Sequence, residues 1–173
     1  MGAGSADTPT HPRMLGMADA VRERRSRLAL DHMSLLNLYA AALREEGRGF
    51  VPDFDPLDGG TAAKVLFLME KPGPMTDGTA LARRIGSGFI SRDNDDPTAE
   101  AIFRFAESAR LARERSILWN IVPWWNGTRT IGKGELQAGL ARLEALIELL
   151  PNLQVVIAVG RRAERAKRVV EFR

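Results

Sequence analysis

The chain lacks cysteine and has only two histidines, His11 and His32, among its 173 residues. Without thiolates it cannot form disulfides, cysteine-ligated iron–sulfur clusters or thiolate zinc sites. Both histidines precede the predicted sheet, so we expect neither a histidine-rich metal site nor acid–base catalysis by histidine. The expectation is a protein that uses no metal and no other cofactor.

Long apolar runs are also missing. No stretch can cross a bilayer, and the N-terminus has no hydrophobic signal-peptide core. We therefore expect a cytoplasmic protein without a membrane partner. The length suits one domain with a single core. Because the N-terminal residues are mostly small and polar, we predict a flexible arm over residues 1–16, followed by one α/β domain over residues 17–173.

Arginine, in contrast, is abundant: the formal net charge is +3 and the sequence pI is about 9.8. The basic residues cluster near positions 22–27, 110–115 and 161–168, whereas the acidic residues are more dispersed. This asymmetry favours an anionic partner, nucleic acid first. A second interpretation stays open, in which arginine-rich helices only keep the protein soluble.

Helical and strand patterns alternate along the chain. Helical periodicity covers residues 17–46, a segment that begins at Asp96-Pro97, residues 135–150, and an arginine-rich segment after Gly160. Apolar runs predict strands over 64–69, 116–121 and 153–159. The irregular segment between Glu70 and Pro97 is expected to hold one or two helical turns near 80–85. The order of elements indicates a layered α/β fold with a parallel sheet.

Polar residues stand where the first two predicted strands end. Glu70 follows strand 64–69, and Asn120 lies near the end of strand 116–121. The carboxyl ends of parallel strands face one crevice, which is where ligands bind. A carboxylate there can activate water or stabilise a cation, and an amide can read a pyrimidine edge. Taken singly, each residue also fits a purely structural role in a turn.

Two aromatic residues are further candidates for binding. Trp124, next to Trp125, can stack on a ligand or a base, or can anchor its loop in the core. Phe89 is another aromatic residue in a glycine-rich setting.

Gly160 is predicted to open the last helix, where free N–H groups and the helix dipole would attract phosphate. Arg161, Arg162 and Arg165 lie in this segment and are candidates for DNA contact. A solvated helix face is the alternative interpretation.

Together these segments resemble the uracil-DNA glycosylase superfamily over roughly residues 51–168. Residues 70–73, Glu-Lys-Pro-Gly, are similar to the first motif of the branch in which Glu precedes x-Pro-Gly. Residues 118–123 are similar to the second strand with its base-reading Asn, and 155–160 to a later strand that enters a helix. The order and spacing of these motifs carry the resemblance more than any one of them.

The resemblance implies a three-layer α/β/α sandwich around a short parallel sheet. It also implies hydrolysis of the N-glycosidic bond of uracil, or of a related damaged base, in DNA after that base is flipped out of the duplex. Glu70 would be catalytic, by stabilising the cation-like sugar or orienting water. Asn120 would bind the base edge, and Phe89 would stack on the base.

The family's first motif would also place Pro72 and Gly73 against the DNA backbone. Two departures from the family pattern stand out. The family often continues into a final strand and a His-Pro-Ser loop, which do not occur before Arg173, and the branch with four iron–sulfur cysteines is excluded. Two alternatives to a glycosylase therefore stay open: a catalytically inactive nucleic-acid-binding protein of the same fold, and an α/β enzyme that acts on a small molecule.

Overall fold

The computed structural model describes residues 11–79 and 85–171. Within these residues, helices and strands alternate along the chain. The helices are α1 (Ala18–Ser26), α2 (Ser34–Glu45), α3 (Pro97–Ser108), α4 (Lys133–Glu148) and α5 (Lys167–Val170). The strands are β1 (Asp53–Phe54), β2 (Val65–Met69), β3 (Phe89–Ile90), β4 (Ser116–Asn120) and β5 (Val155–Ala158).

The main sheet has three parallel strands in the order β4-β2-β5, and a second parallel pair joins β1 to β3. Residue Met69 of β2 lies opposite Asn120 of β4, so these two strands end side by side. The parallel pairing confirms the predicted α/β class. The connection from β2 to β4 contains β3 and the long helix α3, and the connection from β4 on to β5 contains the long helix α4. Long crossovers of this kind are what parallel strands require.

Strand β4 is buried along its whole length, as expected for a strand packed on both faces. The ring of Trp119 stacks on Phe54 of β1 with centroids 3.8 Å apart, which ties the small sheet to the large one. Strand β5 lies at the sheet edge, and Val155 and Ile157 remain 49% and 39% exposed. The strand predicted over 153–159 is thus the least buried of the three.

The helical pattern over 17–46 forms two helices, not one. Helix α1 ends at Ser26, Leu30 is extended, and α2 begins at Ser34. Neither glycine nor proline lies in this segment, so the sequence gives no sign that the helix is interrupted. The two helices are buried against different parts of the domain. Arg24 of α1 lies in a buried cluster of charged side chains, and Leu36 of α2 packs in the apolar core.

The prediction of a helix beginning at Gly160 is wrong. Gly160 has φ +109° and is followed by a turn, a 3-10 helix over Ala163–Ala166 and the four-residue α5. The backbone N–H of Arg162 donates to Glu70 Oε1 at 2.9 Å and is not free for an anion. No helix begins at Gly160, so the helix N-terminus that the sequence suggested for phosphate binding is not formed there.

Helix α3 begins as predicted, with Asp96 as its cap. The Asp96 carboxylate accepts the N–H groups of Thr98 and Ala99 at 2.9 and 3.0 Å, and Pro97 occupies the first helical position. Helix α4 covers Lys133–Glu148, close to the predicted 135–150. The helical turn expected near 80–85 falls mainly on 80–84, outside the described residues.

Residues just before α1 pack on the domain. Leu15 is buried, and its backbone N–H donates to the carbonyl of Asp93 at 2.9 Å. Arg13 forms an ion pair with Glu100 at 2.6 Å. These contacts fall inside the segment that the sequence assigned to an arm. Among helices of the described ranges, none combines the length and the apolar character needed to cross a membrane.

Candidate active site

A cleft of about 600 Å³ lies at the carboxyl ends of the three main strands. Glu70 after β2, Asn120 at the end of β4 and Gly160 after β5 all line it. The turn over 71–76, the start of α3 and Arg129 complete the walls together with Ser91 and Asn94. The structure thus brings the acid and the amide singled out in the sequence to one opening.

The turn that follows β5 holds the Glu70 carboxylate in place. Its Oε1 atom accepts the backbone N–H of Arg162 at 2.9 Å, and the Arg162 guanidinium lies 3.8 Å from Oε2. A Cβ atom on Gly160 would lie 2.7 Å from Oε1 and 2.8 Å from Cγ of Glu70. The absence of a side chain at position 160 is therefore what makes room for the carboxylate.

Asn120 is a buried amide on the wall of the cleft. The residue is only 2% exposed, and the Nδ2 atom of its side chain has no hydrogen-bond partner among the described residues. An unsatisfied buried donor costs about 1–3 kcal/mol, so such groups in a cleft indicate a ligand acceptor. The amide is positioned by β4, whose last pair joins Asn120 to Met69.

The Pro72–Thr76 turn forms one rim of the cleft. Pro72 is buried, and Thr76 closes the turn by donating its hydroxyl and its N–H to the carbonyl of Gly73 at 2.6 and 3.0 Å. The carbonyl of Met75 also accepts the N–H of Ser87 at 3.0 Å. Pro72 and Gly73 therefore present a rigid edge to whatever occupies the cleft.

Lys71 holds the loop after β4 against this rim. Its Nζ atom donates to Asn126 Oδ1 and Glu135 Oε1, both at 2.7 Å, and to the carbonyl of Thr130 at 3.3 Å. The indole N–H of Trp124 donates to the same Glu135 oxygen at 2.9 Å. Arg129 is carried by this loop and lines the cleft, a role that sequence reasoning missed. The only signal was its position in a loop after a strand end.

A buried ion cluster lies behind Ser91 on the cleft wall. It joins three arginines to three aspartates, namely Arg24, Arg92, Arg113, Asp55, Asp58 and Asp93. Arg113 contacts all three carboxylates, at 2.7 Å to Asp55, 3.0 Å to Asp58 and 2.7 Å to Asp93. The Ser91 hydroxyl donates to Asp55, so the cluster positions this wall of the cleft.

Burial sets the charge balance in the ion cluster. It raises the pKa of Asp58 to about 7, with Asp55 and Asp93 adding to the rise and Arg113 opposing it. Burial also acts to raise the pKa of Asp55, but the guanidiniums of Arg113 and Arg24 outweigh it and hold that pKa below its usual value. The pKa values of Asp58 and Asp55 are therefore shifted in opposite directions.

Other residues predicted for the site lie elsewhere. Phe89 and Trp124 are buried, 0% and 2% exposed, and neither is among the described residues that line the cleft. The Phe89 ring packs under the Arg25 guanidinium, 5.7 Å from its centroid. Arg161 and Arg165 are exposed beyond Gly160. Whether these residues contact a ligand or DNA stays a prediction.

The two histidines are not part of the site. The Nε2 atom of His32 lies 3.0 Å from the carbonyl oxygen of Pro56, and neither histidine lines the cleft in the described part of the chain. No group of three His, Asp or Glu side chains suitable for a metal ion occurs within residues 11–79 and 85–171. No family model matches this chain, and no curated protein matches it significantly.

Proposed function

We propose that this protein hydrolyses the N-glycosidic bond of uracil, or of a related damaged base, in DNA. The observation that carries the proposal is the pairing, in one cleft, of an unpartnered buried amide on Asn120 with a carboxylate on Glu70. The amide supplies recognition of a base, and the carboxylate supplies charge where a sugar cation would form. The proposal includes the three-layer α/β/α architecture of the superfamily.

Asn120 fits the Watson–Crick edge of uracil. That edge offers a carbonyl oxygen and a neighbouring N–H, which an amide meets with its Nδ2 donor and its Oδ1 acceptor. Cytosine presents an amino donor where uracil has the carbonyl, so it would leave the Nδ2 donor unpaired. A site that hydrogen-bonds its substrate strongly rejects an analogue that cannot form the bond. An apolar pocket discriminates much less between substrates of similar shape.

Glu70 would act on the sugar. As the bond between C1′ and the base nitrogen breaks, the electron pair leaves with the base and positive charge develops on the sugar ring. A fixed carboxylate stabilises that charge, because charges placed in advance need no reorganisation during the reaction. Water then adds to C1′ and gives up a proton, and the base recovers a proton. Glu70 is placed to orient this water as well.

DNA is the partner that the proposal requires. The turn at Pro72 and Gly73 supplies an edge on one side of the cleft, and exposed Arg161 and Arg165 lie just beyond Gly160 on the other. Their positive charges would attract the phosphate backbone and make binding depend on salt. The protein would act in the cytoplasm on DNA that contains uracil or another damaged base.

A second function has one observation in its favour. A departing base carries negative charge, and no histidine lies among the described residues that line the cleft to stabilise it. A positioned donor of this kind is worth about 10²–10³ in rate in other enzymes. A protein that binds DNA through the same surface without releasing a base is the alternative.

The test is a duplex that carries a single uracil, incubated with the protein and then treated with alkali. The wild-type protein should give strand cleavage at the uracil, and Glu70→Gln and Asn120→Asp should not. Glu107→Gln is the matched control, since it removes an exposed carboxylate on α3 away from the cleft, and it should keep full activity. Salt-dependent binding without cleavage would select the second function, and the absence of both would exclude the two together.

A further inference from the structure

Arg129 is an exposed cation at the mouth of the cleft. It lies in the loop between β4 and α4 and lines the cleft beside the turn after β2. A Cβ atom on Gly73 would be 3.9 Å from its Nη2 atom. The guanidinium therefore lies next to the Pro72–Gly73 rim, in the same cleft as Asn120 and Glu70.

The charge of Arg129 is not neutralised by any described carboxylate. Two further cations near the cleft, within the described residues, are engaged: Lys71 pairs with Glu135 at 2.7 Å, and Arg162 lies 3.8 Å from the Glu70 carboxylate. No hydrogen bond or ion pair of the Arg129 side chain occurs within the described ranges. An arginine whose five donors are not engaged by any described residue, at a cleft mouth, is suited to an oxyanion.

The loop that carries Arg129 is held on both sides of it. Asn126 and Thr130 both accept from Lys71, and the N–H of Thr130 is bound by the Thr128 hydroxyl at 3.2 Å. The loop is thus ordered before any ligand arrives, which lowers the entropy lost when the guanidinium engages a phosphate.

We propose that Arg129 binds a DNA phosphate that flanks the nucleotide whose base enters the cleft. This inference rests on the proposed function for the identity of the polymer, while the phosphate chemistry follows from the free guanidinium. The phosphate would lie over Arg129 and the adjoining Gly73 rim, where the missing side chain allows close approach of the DNA backbone. Arg129 would then hold the sugar in reach of Glu70.

The experiment measures binding and not base release. Fluorescence anisotropy follows a duplex with one abasic-site analogue over a series of salt concentrations. Arg129→Gln should weaken binding up to about 10-fold and lower the slope of log K against log salt by about 0.9, the value for one phosphate contact. Arg129→Lys should restore the slope. Arg115→Gln, an exposed arginine at the opposite end of β4, should match the wild type.

An unchanged slope in Arg129→Gln would overturn the proposal, and so would an equal loss in Arg115→Gln. Inorganic phosphate, titrated at constant ionic strength, separates the two sources of phosphate. If Arg129→Gln weakens only the binding of inorganic phosphate, the assignment to DNA falls. If the wild type binds DNA through Arg129 but releases no base from a uracil duplex, the phosphate contact stands and the proposed hydrolysis fails.

Discussion

The Glu70 carboxylate and Gly160 occupy adjoining space: a Cβ on Gly160 would lie 2.7 Å from Oε1, the oxygen that accepts the Arg162 N–H at 2.9 Å. The acid at the end of β2 is thus held by the turn after β5. Neither strand positions the carboxylate alone, because its orientation depends on a glycine 90 residues further along the chain.

Gly160→Ala should reduce base release at least about 10-fold, because even 1.4 kcal/mol of lost transition-state stabilisation has that effect. The new methyl group would displace the carboxylate from its hydrogen bond to Arg162, while DNA binding should change little. Single-turnover kinetics on a uracil duplex, together with anisotropy, measure the two effects separately.

Gly47→Ala controls for backbone strain in this test. Gly47 also has a positive φ of +66°, but a Cβ there would meet nothing within 4 Å. It should lose some stability and keep its activity. If Gly160→Ala retains wild-type kinetics, the position of Glu70 is not important for the reaction.

Asn120→Ala should stabilise the protein slightly or leave its stability unchanged while it removes base release. Its buried Nδ2 donor has no partner among the described residues, and removing an unsatisfied donor recovers part of about 1–3 kcal/mol. Urea unfolding measures the free energy. Gains in stability on loss of a functional group are typical of binding sites.

Asn94→Ala is the matched control for Asn120→Ala. It is also a buried amide that lines the cleft, but its Oδ1 accepts from Ser87 at 2.6 Å and its Nδ2 donates to the Phe89 carbonyl at 2.8 Å. Its loss should cost about 1–3 kcal/mol. Equal destabilisation by both substitutions would show that Asn120 has only a structural role.

Asp58 should make the folded protein less stable as the pH rises from about 4 to about 7. Its pKa is raised to about 7 from 3.8, so between these values the folded state binds a proton that the unfolded state has released. Stability then falls with rising pH. Asp55, whose pKa is lowered, acts in the opposite sense and contributes stability that is lost as the pH falls below 3.8.

Urea unfolding at pH 5 and pH 8 tests this behaviour with Asp58→Asn, which keeps an acceptor for Arg113 but cannot ionise. The variant should gain stability relative to the wild type between pH 5 and pH 8. The same difference at both pH values would mean that Asp58 titrates normally.

Arg113→Met should destabilise the fold by about 3–5 kcal/mol, because removing one member of a buried ion pair leaves uncompensated charge. Arg113 contacts three buried carboxylates. Arg104→Met is the control: its pair with Glu100 is exposed, and exposed pairs contribute about 0–1 kcal/mol. Similar losses in the two variants, measured by urea unfolding, would contradict a structural role for the cluster.

The strand ends could be predicted because strands of a parallel sheet are buried and apolar, whereas the residues at their carboxyl ends face an open crevice and can be polar. Glu70 and Asn120 were found in this way. The break between Ser26 and Ser34 could not be predicted, since no glycine or proline marks it and it serves the distant burial of Arg24.

Long-range partners explain the remaining differences. Arg113 and Asp58 look like surface residues in the sequence, and they are buried because distant residues of opposite charge join them in one cluster. Phe89 and Trp124 were assigned to a binding site for their chemistry, yet the structure buries both. Arg129 lines the cleft because Lys71 binds the carbonyl of Thr130 and so fixes the loop. This contact joins residues far apart in the chain, so no local pattern predicts it.

The most direct test of the central claim is the chromatographic detection of free uracil from a duplex with one uracil, in a single turnover with enzyme in excess. We expect one equivalent of uracil per duplex with the wild type. With Glu70→Gln and with Asn120→Asp, the rate should be at least about 10²-fold lower. No released uracil, or release that both variants retain, would contradict the central claim.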